Sequence, residues 1–322
     1  MESPTAPRRR RARPPRTRHL LLCTALAVVA VVGATAGGTV YVRAGAHPGT
    51  AAVPSPAGSA SGEAAVEPVA ESAADHDALL GAALASVDVP DGAKVSVAVL
   101  DVGSGAHAVY GDAAFDTASI VKVDILAALL LRAQDAGRRL TAREEAYATA
   151  MIERSDNASA SALWDAIGRA EGLDAVNARF GLTATTGGEG ALWGLTQTTA
   201  ADQLVLLRQV FGDTGDEAPE LTAASRAYLQ GLMERITVGQ RWGVSAAADG
   251  SAWALKNGWL PRSTTGLWDV NSIGRITAGG RTCLVAVLSS GTAAQADGIA
   301  LVEAAARAAV TALVGVAGAA EG

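Results

Sequence analysis

The fold is decided by the stretch Asp116-Thr-Ala-Ser-Ile-Val-Lys-Val-Asp-Ile-Leu-Ala-Ala-Leu-Leu-Leu131. It predicts a helix that starts near Thr117, because Thr and Ser suit a first turn and no Gly or Pro interrupts the residues that follow. Apolar side chains cover nearly its whole circumference, which is typical of a helix buried on all sides. Ser119 and Lys122 lie three residues apart, so both side chains project from one face at the N-terminal end.

The position of Lys122 in a helix that is apolar on all sides indicates a catalytic role for this lysine. Burial costs an ammonium group free energy and lowers its pKa, so Lys122 is a candidate base for the Ser119 hydroxyl. The Ser119 N–H lies in the first turn, where donors are unpaired and can face a developing oxyanion. A structural alternative stays open at this point: Ser119 only caps the helix, and the Lys122 amine reaches solvent.

Composition narrows the possible functions. The chain has 322 residues, of which 49% are hydrophobic, enough for one large domain or two small ones. Seven arginines and one glutamate give residues 1–18 a net charge of +6, so the remaining residues carry −12 to reach the total of −6. An acidic body argues against nucleic-acid binding, which needs a basic face.

Cys23 and Cys283 are not expected to meet, so we predict no disulfide and no metal site. Only His107 lies well inside the folded region, which gives a Ser-His-Asp arrangement poor support.

Three segments precede the predicted folded domain. Residues 1–18 are a basic cytoplasmic tail, and residues 19–42 are a transmembrane anchor or signal segment, because their apolar run is long enough to span a bilayer. The arginines before the run place the body outside the cytoplasm. An uncleaved anchor is favoured over a cleaved signal peptide, which would release a secreted protein. Residues 43–74 are rich in Ala, Pro, Gly and Ser and form a linker to a domain at 75–318.

The order of predicted elements favours an α+β fold. A first helix precedes a hairpin of two strands, and the central helix then opens a helical block that reaches about residue 232. Three more strands and a long Ala-rich helix complete the domain. The predicted strands are 94–101, 106–110, 253–256, 268–276 and 282–289, and the outer helices are 77–87 and 294–314. Such an order predicts an antiparallel sheet between the terminal helices and the helical block.

Ser155-Asp156-Asn157 stands at the predicted entry to a second helix. Ser, Asp and Asn are preferred capping residues, so a purely structural role is one interpretation. In the functional interpretation, the Ser155 hydroxyl relays a proton to a leaving amine, and the Asn157 amide binds the acyl side chain of a substrate. Asp156 then holds the loop.

Lys256-Asn257-Gly258-Trp259 stands at a strand end. Lys256 is either an ordinary surface lysine or a charge that holds a substrate carboxylate and raises the acidity of the relay hydroxyl. Gly258 would let a substrate backbone approach closely. The Trp259 N–H would be a second oxyanion donor, opposite that of Ser119.

Three short motifs together resemble the Ser-x-x-Lys, Ser-Asp-Asn and Lys-Thr-Gly set of class A β-lactamases and penicillin-binding proteins. They are Ser119-x-x-Lys122, Ser155-Asp156-Asn157 and Lys256-Asn257-Gly258, and the resemblance covers about residues 77–315. It implies the serine β-lactamase/transpeptidase-like fold, a five-stranded antiparallel sheet flanked by helices plus an all-helical subdomain. It also implies that a β-lactam or a D-alanyl-D-alanine-like peptide acylates Ser119.

The resemblance assigns roles to the remaining candidates. Lys122 would be the base, Ser155 the proton relay and Lys256 an electrostatic support. The substrate would be bound by Asn157, Asn257, Gly258 and Trp259. No metal or organic cofactor is implied, and we expect a monomer.

Two departures from the family pattern matter. Asn257 replaces the Thr of Lys-Thr-Gly, and its amide reaches a carboxylate with different geometry. The family's Glu-x-x-Leu-Asn loop carries the Glu that activates the deacylating water, whereas the matching region here is Glu189-x-x-Leu192 followed by Trp193. Because glycines flank Glu189, we expect a solvated loop residue, so that acylation proceeds while hydrolysis is slow.

The predicted activity is that of a serine hydrolase similar to class A β-lactamases, tethered to the membrane through its N-terminal segment. Two rivals stay open: a penicillin-binding D,D-peptidase that acts on cell-wall stem peptides, and a β-lactam or muropeptide sensor with slow or no turnover. Arg241 and Arg275 are the remaining basic candidates for the cleft, with Arg275 a candidate for binding a carboxylate.

Overall fold

The computed structural model describes residues 75–212, 218–250 and 252–320. The basic tail, the apolar segment and the linker predicted within residues 1–74 lie outside these ranges, so the anchor and the cellular location stay predictions. Within the described ranges, no helix combines the length and the apolar character that crossing a membrane requires.

The strands form one large sheet and one small ribbon. The described strands are β1 (Lys94–Asp101), β2 (His107–Tyr110), β3 (Phe115–Asp116), β4 (Gln197–Thr198), β5 (Trp253–Pro261), β6 (Trp268–Ala278) and β7 (Arg281–Thr292). Five of them pair antiparallel in the order β2-β1-β7-β6-β5, and β3 pairs with β4. The predicted five-stranded antiparallel sheet is confirmed. β5 runs five residues beyond its predicted end, and the β3–β4 ribbon was not predicted.

Helices cover both faces of the sheet. They are α1 (His76–Leu84), α2 (Val121–Asp135), α3 (Ala142–Glu153), α4 (Asn157–Ala166), α5 (Arg169–Phe180), α6 (Ala200–Phe211), α7 (Ala223–Glu234) and α8 (Gln295–Ala320). α2 to α7 form the predicted helical block on one face, and α1 and α8 pack on the other. The predicted α+β architecture is therefore confirmed.

Two hydrophobic cores lie on opposite faces of the sheet, because side chains alternate along each strand. In β7, Leu284 and Leu288 pack with the helical block, whereas Val285 and Val287 pack with α1 and α8. α2 runs through the first core, and every residue from 121 to 131 is buried. The prediction of a central helix buried on all sides is confirmed.

The start of the central helix differs from the prediction. A 3-10 turn covers Ala118–Ile120, and the α-helix begins at Val121 rather than near Thr117. Ala118 has a φ of +49°, in the left-handed region that side chains other than glycine rarely adopt. A regular right-handed helix cannot pass through such a residue, so the chain enters α2 through a tight turn that carries Ser119. No side-chain capping bond forms at this entry, so the interpretation of Ser119 as a cap is wrong.

Candidate active site

Ser119 lies half-buried on the tight turn before α2 and lines a cavity. A neighbouring strand fixes this turn: Asn271 of β6 donates from Nδ2 to the carbonyls of Asp116, at 2.9 Å, and Thr117, at 3.0 Å. The Thr117 N–H donates to the Thr196 carbonyl at 2.9 Å from the other side. Hydrogen bonds on both sides, together with the left-handed residue before it, hold Ser119 in a fixed place.

Lys122 is fully buried, so the interpretation that its amine reaches solvent is wrong. Its Nζ donates to the Ser155 carbonyl at 2.7 Å, to Ser155 Oγ at 3.0 Å and to Asn157 Oδ1 at 2.8 Å. These three bonds use all three protons of an ammonium group. Burial lowers the pKa of Lys122 from 10.5 to about 7, against the opposing charge of Asp156.

Ser119 and Lys122 lie only three residues apart. Even so, the described residues include no hydrogen bond between the Lys122 amine and Ser119. As an ammonium, Lys122 holds the loop that carries Ser155 and Asn157. As a neutral amine it has only two protons and one lone pair, so one of the three acceptors must be released. The pKa near 7 makes this exchange accessible at neutral pH.

Ser155 joins two lysines. Its Oγ accepts from Lys122 at 3.0 Å and from Lys256 at 3.1 Å, although its backbone has the unfavourable φ of +57°. Because the amines of Lys122 and Lys256 both donate to this oxygen and occupy its two lone pairs, the proton of Ser155 must point elsewhere. Ser155 is therefore arranged as a proton donor.

Asp156 caps α4 by accepting from the Ser159 N–H at 2.7 Å, as its capping preference predicts. The functional interpretation of the motif does not compete with this structural one. Asp156 fixes the helix start, which leaves Ser155 and Asn157 on either side of it to meet the lysines. Since Asn157 Oδ1 accepts from Lys122, the amide N–H groups of Asn157 are the part that remains for a ligand.

Lys256 is also fully buried, so it is not an ordinary surface lysine. Its Nζ donates to Ser155 Oγ at 3.1 Å and to the Asn257 carbonyl at 2.7 Å. Burial, followed by the nearby charge of Lys122, holds the pKa of Lys256 well below its usual 10.5. A lysine this deep acts on a ligand through the Ser155 hydroxyl to which it donates.

A cavity of about 490 Å³ opens in front of these groups. It is lined by Ala118, Ser119, Asn157, Ala191, Leu192, Trp193, Gly194, Leu195, Trp259, Leu260, Pro261, Arg262, Ser263 and Thr264. One wall is the loop around Trp193, and the other is the end of β5 with the turn that follows it. Among these lining residues of the described chain there is no carboxylate.

The family of the chain is given by a match that starts within α2 and runs into α8. The family model described as "Beta-lactamase enzyme family" matches residues 131–313, which is more than half of the chain. The chain belongs to the beta-lactamase enzyme family. The match includes Ser155, Lys256 and the loop of Glu189, and it begins after Ser119 and Lys122, whose assignment depends on the motif and the geometry.

Solved structures agree on the fold of this beta-lactamase family member. A point mutant of the class A β-lactamase of the last common ancestor of Gram-negative bacteria is 24% identical, with 72% of this chain and 98% of that chain covered and a TM-score of 0.59. The class A β-lactamase from Mycobacterium abscessus is 20% identical, with 74% and 98% covered and a TM-score of 0.59. PBP-A is also 20% identical, with 74% and 96% covered and a TM-score of 0.62. A comparison with curated proteins finds no match.

Asn257 has contacts that differ from the predicted carboxylate-binding role. It is fully buried, and its Nδ2 donates to the carbonyls of Gln240, at 2.8 Å, and Trp242, at 2.9 Å. Strand alternation explains this placement, because Lys256 and Asn257 must point to opposite faces of β5. In this family member, Asn257 ties the segment 240–242 to the strand instead of facing the cavity.

Gly258 is required by the protein's own backbone rather than by a substrate backbone. A Cβ at this position would lie 2.6 Å from Ser119 N, 2.7 Å from Ile120 N and 2.8 Å from the Thr117 carbonyl. Only glycine allows β5 to pack this closely on the turn of the nucleophile. The next residue, Trp259, lines the cavity, and its ring packs on Trp242 with centroids 5.8 Å apart.

Glu189 is exposed and does not line the cavity. Trp193 occupies the wall instead, with its ring centroid 4.9 Å from Lys122 Nζ and its Nε1 donating to Ser161 Oγ at 3.1 Å. The expectation of a solvated Glu189 agrees with this placement. The position of Trp193 over Lys122 was not predicted.

The two arginines predicted for the cleft, Arg241 and Arg275, lie elsewhere, and Arg262 lines the cavity. Arg275 bonds Glu234 at 2.7 Å and lies over Phe211, and Arg241 lies over Trp253, so neither lines the cavity. Arg262 lines it instead and pairs with Asp116. Sequence reasoning missed Arg262 because β5 was predicted to end at residue 256, five residues too early. Sequence reasoning also missed Asn271 of β6, whose fully buried amide must be hydrogen-bonded to offset the cost of its burial.

Proposed function

We propose that this chain is a serine acyl-transfer enzyme that opens β-lactam rings through a Ser119 acyl-enzyme and releases the product slowly. The observation that carries the proposal is the Ser155 hydroxyl, which two buried lysines hold at 3.0 and 3.1 Å beside the cavity that Ser119 lines. Membership of the beta-lactamase enzyme family supports the same reaction class.

Acylation would begin with proton removal from Ser119. Neutral Lys122 gives up one of its present partners, takes the Ser119 proton, and Oγ bonds to the carbonyl carbon of the lactam. The C–N bond of the ring then breaks. Ser155 gives its proton to the departing nitrogen and recovers one from Lys122, so the protons balance. The pKa of about 7 lets Lys122 exist in both forms that these steps need.

The charge on the carbonyl oxygen needs donors as the bond to Ser119 forms. We propose the Ser119 N–H and the Trp259 N–H for this role. Gly258 supports the assignment, because its lack of a side chain brings β5 against the turn that carries Ser119. β5 is also the edge strand of the sheet, so alternate N–H groups along it have no strand partner.

The substrate should be an anion with an apolar acyl group. Two buried lysines lie behind the cavity, Arg262 lines it, and none of its described lining residues is acidic. A carboxylate would accept hydrogen bonds from these groups. Leu192, Trp193 and Trp259 offer apolar surface for an acyl side chain, and the Asn157 amide would bind its carbonyl. β-Lactams combine these features. We propose that the domain meets them outside the cytoplasm and that the protein acts as a monomer.

A second function, D,D-peptidase activity on stem peptides, is favoured by one observation. Glu189 is exposed and no described residue lining the cavity is acidic, so hydrolysis of the acyl-enzyme lacks a carboxylate base. The fold resemblance to PBP-A accords with this, and a point mutant of PBP-A was solved as an acyl-enzyme complex with penicillin G. An acyl-enzyme that reacts with an amine rather than water would be a transpeptidase, and one that reacts with neither would be a sensor.

The test is a pre-steady-state assay with a chromogenic cephalosporin. The proposal predicts a burst of ring opening equal to the enzyme concentration, followed by slow turnover, and no burst in Ser119→Ala. Rapid turnover without a burst would contradict slow release, and a wild type without any ring opening would contradict the acylation itself. Release of D-alanine from a D-alanyl-D-alanine peptide would assign the peptidase function.

A further inference from the structure

Trp193 forms the side of the Lys122 environment that hydrogen bonds leave open. The ring centroid lies 4.9 Å from Nζ, whereas the three acceptors of Nζ all belong to Ser155 and Asn157. We propose that Trp193 is a positioning residue that holds Lys122 as a dry ammonium and keeps water from the acyl-enzyme, and thereby sets the lifetime of the acyl-enzyme. This inference depends on the proposed function.

The distance leaves no room for a water on the line between the ring centroid and the amine. A water bound to Nζ needs roughly 2.8 Å, and its contact with the ring face needs roughly 3.4 Å more. The observed 4.9 Å is shorter than this sum, so no water lies on the line that joins Nζ to the ring centroid, and Lys122 is fully buried. The ring face also attracts the ammonium form, and this attraction grows when water is absent.

α4 holds both the Trp193 ring and the loop that carries it. Its Nε1 donates to Ser161 of α4 at 3.1 Å, and Trp164, one turn further along α4, donates to the Gly190 carbonyl at 2.8 Å. The loop is closely packed within itself, because a Cβ at Gly188 would lie 2.1 Å from the Leu192 carbonyl. To swing aside and admit water, the ring must give up its hydrogen bond to Ser161.

The ring therefore affects the second half of the reaction. Hydrolysis needs a water whose oxygen bonds to the ester carbon while its proton passes to neutral Lys122. The bond from that carbon to Ser119 Oγ then breaks, and Oγ takes the proton from Lys122. The charged groups near Lys122 are Lys256 and Asp156. Asp156 is engaged as the cap of α4 and Lys256 donates to Ser155, which leaves Lys122 as the base.

Three substitutions in the full chain separate these effects. Trp193→Ala opens the wall to water, so the penicillin acyl-enzyme should decay roughly tenfold faster or more, measured by intact mass after removal of free drug. Trp193→Phe keeps a ring over Nζ and should retain the long lifetime. Trp193→Leu keeps an apolar wall without the ring face, which should lower the Lys122 titration midpoint by roughly half a pH unit.

The Lys122 midpoint is read by NMR of lysine labelled at Cε, which needs no substrate. Trp253→Leu is the matched control, because it removes a ring over Arg241 and leaves the cavity unchanged. An unchanged midpoint in Trp193→Leu, or equal lifetimes in Trp193→Ala and wild type, would overturn the inference. A wild type that forms no acyl-enzyme would overturn the proposed function instead, while the NMR titration still decides the contact.

Discussion

The close packing of Gly258 on the nucleophile turn predicts a large effect from the smallest possible substitution. In Gly258→Ala, the new Cβ would lie 2.6 Å from Ser119 N, whereas ordinary van der Waals contact begins near 3.4 Å. β5 and the turn must therefore separate by about 0.8 Å, because the clashing atoms are backbone and cannot rotate away. A displacement near 1 Å at reacting groups costs about a hundredfold in rate, and overpacking costs about 1–3 kcal/mol of stability.

The assay is the rate of acylation by penicillin, followed by stopped-flow mixing and intact mass, with thermal unfolding measured in parallel. Gly81→Ala is the matched control, since its added Cβ would meet only Tyr110, at 4.0 Å, far from the cavity. The control should acylate like the wild type. A folded Gly258→Ala protein that acylates at the wild-type rate would refute the argument that this packing aligns Ser119 with the edge strand.

Three other predictions follow from buried polar groups. The rate of acylation should increase as pH rises through about 7, because burial lowers the Lys122 pKa to about 7 and only the neutral amine accepts a proton. An acylation rate that stays constant between about pH 5 and 9 would contradict this prediction. Burial raises the Asp124 pKa from 3.8 to about 7, so the folded state binds the proton more tightly and loses stability as pH rises between these values. Asp124→Asn should remove that slope in urea unfolding and stabilise the protein at pH 8 by about 1–3 kcal/mol. Asn257→Ala should lower the stability by about 2–3 kcal/mol, since two backbone carbonyls lose their donor; lost acylation with an unchanged Tm would restore the carboxylate-binding role.

The parts of the site that the sequence predicts are those written in short local patterns. Ser119 and Lys122 share one helical turn, and the apolar residues around them require that turn to be buried. Ser155 and Lys256 stand at a helix entry and on a strand, and the α+β order brings these elements together. Their meeting at one hydroxyl is visible only in the structure, because 101 residues separate them.

The parts that the sequence does not predict depend on contacts between distant segments. Arg262 is 146 residues from Asp116, and Asn271 is 154 residues from Thr117, so no local pattern links either pair. The contact of Trp193 with Lys122 likewise crosses from a loop to the start of α2. Asn257 is different, because strand alternation already implies that it points away from the side that Lys256 faces. The two-residue repeat of the strand therefore argues against the carboxylate-binding prediction for Asn257.

The most direct test of the central claim is the intact mass of the full chain after mixing with penicillin G, for the wild type and for Ser119→Ala. Ring opening breaks a C–N bond within the drug and loses no atoms, so the wild type should gain the whole mass of the drug. Peptide mapping should place that gain on Ser119. No mass gain in the wild type, or the same gain in Ser119→Ala, would contradict the claim that Ser119 is the nucleophile.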